Sequence, residues 1–372
     1  MSSQKIQCKE NTERLFEAVI ETRFSFTRMT ETRVSATIKD VARKAGVSIA
    51  TVSRALNNPE RSSPEMVAHV RAVAQEMGYI PHRAAGSLVS RRFRTIGAVF
   101  PTIDNSIFAQ ALHALQSRLN MHGYMLVIAS NSYDSSREAA ALQSLIEHGI
   151  DAVVLVGAVH PPEVLHLLAA KQLPFVNTWT FDPGSPYPSI GFNNRVAMRR
   201  LTDHLLDLGH RSIGVIAGIR ANNDRASERA EGILDALAAR GLSVPAGQII
   251  EAEYTIRAGR EAMRALLARD TLLTAVICGN DILAFGAILE CSARGIAVPQ
   301  AISITGFDDF ELSQHMIPAL TTVRVPTQEI GAATGDYLVA YLAGRPTQEH
   351  LDLGADLIIR ESTAAPASQI LS

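Results

Sequence analysis

The sequence predicts a small all-α head followed by an α/β core of two doubly wound parallel-sheet subdomains. Three observations support this fold class. Residues 37–57, TIKDVARKAGVSIATVSRALN, have the pattern of two short helices joined by a glycine turn. From residue 96 onward, apolar strands alternate with amphipathic helices, which is typical of parallel sheets covered on both faces. The sign of the net charge also reverses at the junction of these two parts.

The first segment predicts a helix-turn-helix. Apolar residues recur at helical spacing, so each helix has one inward face. These inward positions are Ile38, Val41, Ala42, Val52, Ala55 and Leu56. Gly46 lies where the chain must turn sharply, and a positive φ is accessible to glycine without steric cost. Ser48 is placed to cap the second helix by accepting a bond from a free backbone N–H.

The outward face of the second helix favours DNA binding. Short side chains at its exposed N-terminal end suit a major groove, and this end carries Ile49 and Ala50. Arg54 follows one turn later and can contact a phosphate or a guanine edge. An ordinary helical hairpin is the alternative interpretation of these residues alone.

The charge distribution favours a nucleic-acid-binding head on an acidic body. From Thr37 to Thr95 there are ten Lys and Arg against four Asp and Glu, a local net charge of +6. From Ile96 to the end there are 19 against 28, a net charge of −9. A uniformly solvated charged surface would not explain why the sign reverses at one boundary.

A third helix and a basic segment complete the head. Ser63 caps a predicted helix from Pro64 to Met77, which Gly78 ends. The following HRAAGSLVSRRFR fits a short helix whose one large apolar residue is Leu88. Leu88 either packs on a neighbour or inserts into a minor groove near phosphates. Residues 1–36 have no sustained periodicity and are interpreted as a disordered tail or an over-called start.

The core pattern predicts eight strands separated by helices. Because eight βα units are more than a single sheet usually contains, we expect two subdomains. The predicted strands are residues 95–100, 124–130, 152–157, 174–179, 212–218, 248–254, 275–280 and 303–307. The clearest helices are Phe108–Met121, Glu138–His148, Arg195–Leu208 and Ala226–Arg240.

Polar and aromatic residues follow these strands, where ligands bind in doubly wound sheets. They are Thr102, Asp104, Ser130, Asn131, Trp179, residues 220–223, Tyr254, Asn280, Asp281, Asp308 and Asp309. Carboxylates and amides pair with sugar hydroxyls, an aromatic ring stacks on the apolar face of a sugar, and Arg229 lies within reach. Each residue also has a local explanation: a helix cap for Asp281, a core ring for Trp179, a surface ion pair for Arg229. Their convergence on one predicted cleft favours ligand binding.

Other classes of protein find little support. The sequence has no GxSxG, Walker, HExxH or GxGxxG motif, so an enzyme is not expected. Cys8, Cys278 and Cys291 have no metal-binding spacing, and neither a metal nor another cofactor is expected. No apolar run approaches the roughly 20 residues that span a bilayer, and no signal-type core is present. We therefore expect a cytoplasmic protein without a membrane partner.

Several motifs resemble those of the lactose/galactose repressor (LacI/GalR) family of bacterial transcription regulators. Besides residues 37–57, they are GYIPHRAAGSL, LGHRSIGVIAG, SERAEGI, CGNDILAFGAILE, GIAVPQAISITGFDD and LTTVRVP. They occur in the family's order and spacing over more than 330 residues. The resemblance implies a ligand-switched repressor that binds a pseudo-palindromic DNA operator as a homodimer or tetramer. A sugar receptor without a DNA role, or an α/β sugar-processing enzyme, is the alternative.

The resemblance also implies domain boundaries. The helix-turn-helix domain is 37–82, and a hinge helix with its linker is 83–95. The core, 96–372, is similar to periplasmic sugar-binding proteins. Its N-subdomain comprises about 96–190 and 324–347, and its C-subdomain about 191–322 and 350–366.

Site residues follow from the strand ends and the family motifs together. The expected DNA-binding residues are Thr37, Ser48, Ile49, Ala50, Thr51, Ser53, Arg54, Asn57, His82, Ala85 and Leu88. The expected effector-binding residues are Thr102, Asp104, Phe108, Ser130, Trp179, Arg229, Tyr254, Asn280, Asp281 and Asp308.

Some positions depart from the family pattern. His82 stands where the hinge usually has Asn, and Gly86 where many members have Arg. Thr102 and Trp179 stand where many sugar-binding members have Asp. The loss of two carboxylates and the gain of an indole favour an effector that is less polar than a hexose, anionic or purine-like.

Overall fold

A computed structural model of the chain describes residues 36–57, 59–80, 92–269 and 272–367. These residues divide into two compact units between positions 91 and 92. Each unit has its own buried apolar cluster. Among the described residues, no helix combines the length and the apolarity that crossing a membrane requires.

The first unit contains three helices: α1 (Ile38–Ala45), α2 (Ile49–Asn57) and α3 (Pro64–Glu76). Thr37 and Asp40 form a capping box at the start of α1, and Gly46 ends that helix with a φ of 67°. The Oγ of Ser48 accepts a bond from the Thr51 N–H at 3.1 Å and so caps α2. The predicted helices, caps and glycine turn are confirmed.

The core of this unit is small and aliphatic. Its fully buried members come from all three helices and include Val41, Val52 and Val70. Ile38, Leu56 and Met77 pack against them but remain partly exposed. The helical periodicity therefore identified the inward faces correctly, and α3 ends one residue before its predicted end.

The second unit is an α/β structure built on parallel sheets. Its strands are β1 (Thr95–Phe100), β2 (Met125–Ser130), β3 (Ala152–Val156), β4 (Phe175–Thr178), β5 (Ser189–Gly191), β6 (Ile213–Gly218), β7 (Ile249–Ala252), β8 (Ala275–Cys278), β9 (Ser303–Thr305), β10 (Thr322–Arg324), β11 (His350–Asp352) and β12 (Asp356–Ile358). Its helices are α4 (Ser106–Met121), α5 (Glu138–Glu147), α6 (Pro162–Lys171), α7 (Asn194–Asp207), α8 (Asp224–Ala239), α9 (Ile256–Arg269), α10 (Asp281–Ala293) and α11 (Thr327–Leu342).

Two parallel sheets define an N-subdomain and a C-subdomain. The first sheet has the strand order β11-β5-β4-β3-β1-β2, and the second has the order β7-β6-β8-β9. Strands β1, β6 and β8 are buried along their whole length, as expected for strands covered on both faces. The predicted α/β class with two doubly wound sheets is confirmed.

The chain passes between the two subdomains three times: after β5, between β10 and α11, and between β11 and β12. Strands β10 and β12 pair antiparallel to form a separate ribbon. The sequence analysis grouped residues 350–366 with the C-subdomain, which is wrong for β11 because it pairs in parallel with β5 of the first sheet. A strand of three residues has too little periodicity to reveal its partner. Four of the five three-residue strands in the described part of the chain, β5, β10, β11 and β12, were missed, whereas β9 lies within the predicted strand 303–307.

Close packing of α4 against α11 supports the N-subdomain. A Cβ built on Gly331 of α11 would collide with the backbone oxygen of Ala111 in α4. Gly331→Ala should therefore lower the free energy of unfolding by about 1–3 kcal/mol, although alanine normally favours a helix. Urea unfolding measures the change. Gly247→Ala is the control, because a Cβ at Gly247 meets nothing within 4 Å. Equal effects of the two substitutions would contradict the packing argument.

Candidate functional site

The exposed face of α2 presents most of the expected DNA-binding residues. Ile49 is 45% exposed, and Ala50 and Arg54 are also exposed. Ser53 and Asn57 continue this face along the helix, where the Asn57 amide donates to Ser53 Oγ at 3.3 Å. An exposed, largely neutral helix start followed by an arginine is compatible with a major groove.

Three other expected residues have local roles at helix starts. The Thr37 hydroxyl donates to Asp40 Oδ2 at 2.6 Å within the α1 capping box. Ser48 Oγ caps α2 and lies 2.9 Å from the hydroxyl oxygen of Thr51. His82, Ala85 and Leu88 lie outside the described residues, so their roles in the hinge stay predictions.

In the second unit, a small cavity of about 30 Å³ lies at the carboxyl ends of the strands. Residues of both subdomains line it. They are Asn105, Ile107, Phe108, Tyr133, Trp179, Asn223, Arg225, Arg229, Tyr254, Asn280 and Asp308. The structure thus brings together six expected effector residues: Phe108, Trp179, Arg229, Tyr254, Asn280 and Asp308.

Aromatic rings form much of the cavity wall. Trp179 is 2% exposed and packs edge-on against Phe108, with ring centroids 5.0 Å apart, and against Phe100 at 5.5 Å. The Tyr133 and Tyr254 rings meet across the subdomains, with their centroids 5.6 Å apart and their planes tilted by 50°. Such walls stack on the flat face of a ligand ring.

A buried guanidinium is fixed beside these rings. Arg229 Nε donates to Asn194 Oδ1 at 2.9 Å, and its Nη1 donates to the Gly279 carbonyl at 3.0 Å. Its Nη2 lies 3.7 Å from Asp308 Oδ1, and its central carbon lies 3.8 Å from the centre of the Phe307 ring. These contacts leave the guanidinium one orientation.

Two buried polar atoms at this cavity have no hydrogen-bond partner among the described residues: the indole Nε1 of Trp179 and the Oδ1 of Asp308. One is a donor and the other an acceptor, so a ligand bearing both functions would satisfy them. Trp179 and Asp308 also have positive φ angles of 59° and 116°. Backbone strain of this kind concentrates at binding sites.

A second cavity of about 360 Å³ adjoins the first. The two share Tyr133 and Arg225 in their linings. In the wall of the larger cavity, the imidazole Nδ1 of His160 lies 2.7 Å from Glu138 Oε1. Burial lowers the pKa of His160, but the hydrogen bond and charge of Glu138 outweigh it and leave that pKa above its ordinary value.

Comparison with known proteins matches both units of the chain. Residues 37–82 match the family described as bacterial regulatory proteins, lacI family, and residues 202–363 match the periplasmic binding protein-like domain. The HTH-type transcriptional regulator GntR of Escherichia coli (strain K12) is 33% identical over 323 residues, 86% of this chain and 96% of that protein. The chain belongs to the LacI family of bacterial regulatory proteins.

Other relatives agree with this assignment. The HTH-type transcriptional repressor CytR of E. coli (strain K12) is 32% identical over 336 residues, 89% of this chain and 97% of that protein. A Lac repressor dimer bound to operator and the anti-inducer ONPF has a TM-score of 0.79 at 26% identity, covering 89% of this chain and 99% of that chain. This LacI-family protein is a transcription regulator with a DNA-binding domain and an effector-binding core.

One expected effector residue of this LacI-family protein has a structural position instead. The Asp281 carboxylate is fully buried and accepts bonds from Ser313 Oγ at 2.5 Å, Thr322 Oγ1 at 2.5 Å and the Phe310 N–H at 2.8 Å. It ties α10 to the β10 region and does not line the cavity. Its placement in the cleft was wrong, because sequence alone cannot show which way a side chain at a strand end turns.

Three more expected residues lie outside both cavity linings. Thr102 Oγ1 accepts a bond from the Asp104 N–H at 3.1 Å, and Asp104 is exposed. Ser130 Oγ donates to the Pro101 carbonyl at 3.1 Å. These side chains form bonds within the turns after β1 and β2, and their roles in effector binding stay predictions.

The sequence analysis named Asn223 only within the strand-end segment 220–223, and it missed other lining residues, notably Tyr133 and Arg225. Tyr133 follows the end of β2 by three residues, and Arg225 follows the polar 220–223 segment. Extending each strand-end search by a few residues would have found both. Asn194, which positions Arg229, had no comparable signal.

Burial raises the pKa of Asp308 from its ordinary value of 3.8 to about 7. The charge of Arg229 lowers this pKa and the charge of Asp281 raises it, and both effects are smaller than that of burial. Between those pH values the folded chain holds a proton that the unfolded chain has released. The free energy of unfolding should therefore fall by about 2–3 kcal/mol between pH 5 and pH 8 through this group.

Asp308→Asn should remove this part of the pH dependence, because the amide does not titrate. Urea unfolding at pH 5 and pH 8 measures it, with exposed Asp104→Asn as the control. An unchanged slope in Asp308→Asn would show that Asp308 is ionised across this range.

Proposed function

We propose that this LacI-family regulator is a repressor that binds a pseudo-palindromic operator as a homodimer. A small ligand in the cleft beside Trp179 switches its affinity for that operator. The observation that carries the ligand proposal is a pair of buried atoms without a hydrogen bond, Trp179 Nε1 and Asp308 Oδ1, in an aromatic cavity. Relatives that are DNA-binding regulators support the operator proposal.

In the DNA-binding role, we assign base contacts to the exposed face of α2. Ile49 and Ala50 lie at the helix start, where a recognition helix reaches base edges. Arg54 lies one turn on and reads a guanine or holds a phosphate. A homodimer places two such helices on two half-sites, and the Lac repressor dimer on its operator is a structural neighbour.

In the effector role, Arg229, Asp308 and Trp179 form the polar part of the site. Arg229 and Asp308 offer donors and acceptors to hydroxyl, carboxylate or amide groups, and the rings cover the flat face of the ligand. A sugar, a sugar acid or a similar metabolite fits this chemistry. The cleft groups bind and orient a ligand, and we propose no enzymatic reaction for them.

The α2 assignment predicts that Arg54→Ala weakens sequence-specific binding. Selection from a random duplex library with the full chain defines the operator, and titration at fixed salt measures its affinity. We expect a loss of about 1–3 kcal/mol on the selected site and a much smaller loss on unrelated DNA. Arg71→Ala, an exposed arginine on α3, is the control. If Arg71→Ala and Arg54→Ala lost affinity equally, α2 would not be the reading helix.

The cleft assignment predicts that Arg229→Ala removes the ligand response but keeps operator binding. Trp179 is the sole tryptophan of the sequence, so its fluorescence reports on the cleft. Sugars, sugar acids and nucleosides are screened for a fluorescence change and for an effect on operator affinity.

The control for this screen is Arg257→Ala, whose side chain is 80% exposed. Arg229→Lys tests whether charge alone suffices, because lysine cannot make the paired contacts. A full ligand response in Arg229→Ala would exclude this cleft as the effector site, whatever the outcome for DNA.

A further inference from the structure

A group of contacts joins the two subdomains at the edge of the cleft. Asp224, the first residue of α8 in the C-subdomain, accepts bonds through Oδ2 from the N–H groups of Ala158 at 2.5 Å and Val159 at 3.3 Å. Both amides follow β3 of the N-subdomain. Arg225 Nη1 donates to the Val156 carbonyl at 3.1 Å. We call these contacts, with Gly157 between them, the cleft clasp.

The two side chains of the clasp also hold each other. Arg225 Nη1 donates to Asp224 Oδ1 at 2.8 Å, and each side chain is only 11% exposed. Charge-assisted bonds that are shielded from water are stronger than an exposed ion pair. The clasp therefore differs from the many surface pairs of this unit.

Asp224 is not the N-cap of its own helix, although its Oδ1 accepts a bond from the Arg225 N–H at 2.9 Å. Asn223 caps α8, since its Oδ1 accepts a bond from the Ala226 N–H at 3.2 Å. Asp224 Oδ2 is directed instead to backbone amides of the other subdomain. Bonds within α8 therefore do not explain why the Asp224 carboxylate also binds the amides of Ala158 and Val159.

Gly157 fits the closed clasp for two reasons. Its φ is 95°, a conformation that side chains disfavour. A Cβ at Gly157 would also collide with Arg225 Nη1 and would lie 2.6 Å from Asp224 Oδ1. Gly344 is a useful contrast, because it has a φ of 69° but a Cβ there meets nothing within 4 Å.

Both side chains of the clasp line the cleft. Arg225 lines both cavities, and Asp224 lines the larger one. With the clasp closed, the cavity beside Trp179 has a volume of about 30 Å³, against about 360 Å³ for the adjoining cavity. A ligand ring needs several times more room than this cavity offers, and Arg225 of the clasp forms part of its wall.

We propose that Asp224 is a positioning residue that holds Arg225 and the residue 157–159 loop together and keeps the ligand-free cleft closed. This proposal depends on the proposed function in one respect, because it takes this cleft to be the effector site. The clasp sets an opening cost that any ligand must overcome, and so it tunes effector affinity without touching the ligand ring.

Acrylamide quenching of Trp179 fluorescence in the full-length protein, without ligand or DNA, tests the clasp. The wild type should be quenched weakly because the indole is 2% exposed. Asp224→Ala should increase the quenching constant severalfold, and Asp224→Asn, which keeps the shape but loses the charge, should lie between the two. Gly157→Ala should behave like Asp224→Ala, while Gly344→Ala, at a glycine that also has a positive φ but has open space around it, should match the wild type.

Urea unfolding of each variant separates positioning from general stability. If Asp224 were merely structural, its variants would lower the free energy of unfolding while the folded protein kept wild-type quenching, and the proposal would be wrong. Equal quenching of Gly157→Ala and Gly344→Ala would overturn it as well. Neither measurement uses a ligand or DNA. The clasp proposal can therefore be refuted while the effector-site proposal stands, and the effector-site proposal can be refuted while the clasp proposal stands.

Discussion

The buried guanidinium of Arg229 organises the cleft. A charge removed from water must find partners, and Arg229 finds them on three separate segments: Asn194 at the start of α7, the Gly279 carbonyl after β8, and Asp308 after β9. Asn194 in turn donates to the Trp179 carbonyl at 2.9 Å. This chain of bonds runs from the N-subdomain to the C-subdomain, so the position of the indole depends on the arginine.

The same requirement explains which buried groups are available to a ligand. Asp281 and Asp308 are both buried acids that follow strands of the second sheet. Three donors occupy the Asp281 carboxylate, while Asp308 Oδ1 has the Arg229 guanidinium 3.7 Å away but accepts no hydrogen bond from the described residues. A satisfied carboxylate holds the fold together. A buried carboxylate oxygen without a hydrogen bond, in the same cavity as an indole N–H without one, carries a free-energy cost that a ligand can recover. The difference lies in neighbours that come from distant parts of the chain.

Access to these groups depends on contacts between the subdomains. Three connections cross between the sheets, after β5, between β10 and α11, and between β11 and β12, so relative motion of the subdomains is restricted to these segments. The clasp of Asp224 and Arg225 has the opposite effect, because it joins the two subdomains at the edge where they meet. Connections that permit motion and contacts that resist it together give the cleft two states for a ligand to choose between.

The sequence by itself determined the helix-turn-helix, the alternation of strands and helices, and the edge of the sheets where the cleft lies. Those features depend on local periodicity, on caps such as Thr37 and Ser48, and on the rule that parallel strands end together. Only the tertiary structure decided that Trp179 and Asp308 face the cavity while Asp281 and Ser130 do not, and that β11 joins the first sheet. The physical reason is that a side chain's direction and a three-residue strand's partner are set by packing against residues far away in sequence, on which local pattern has no influence.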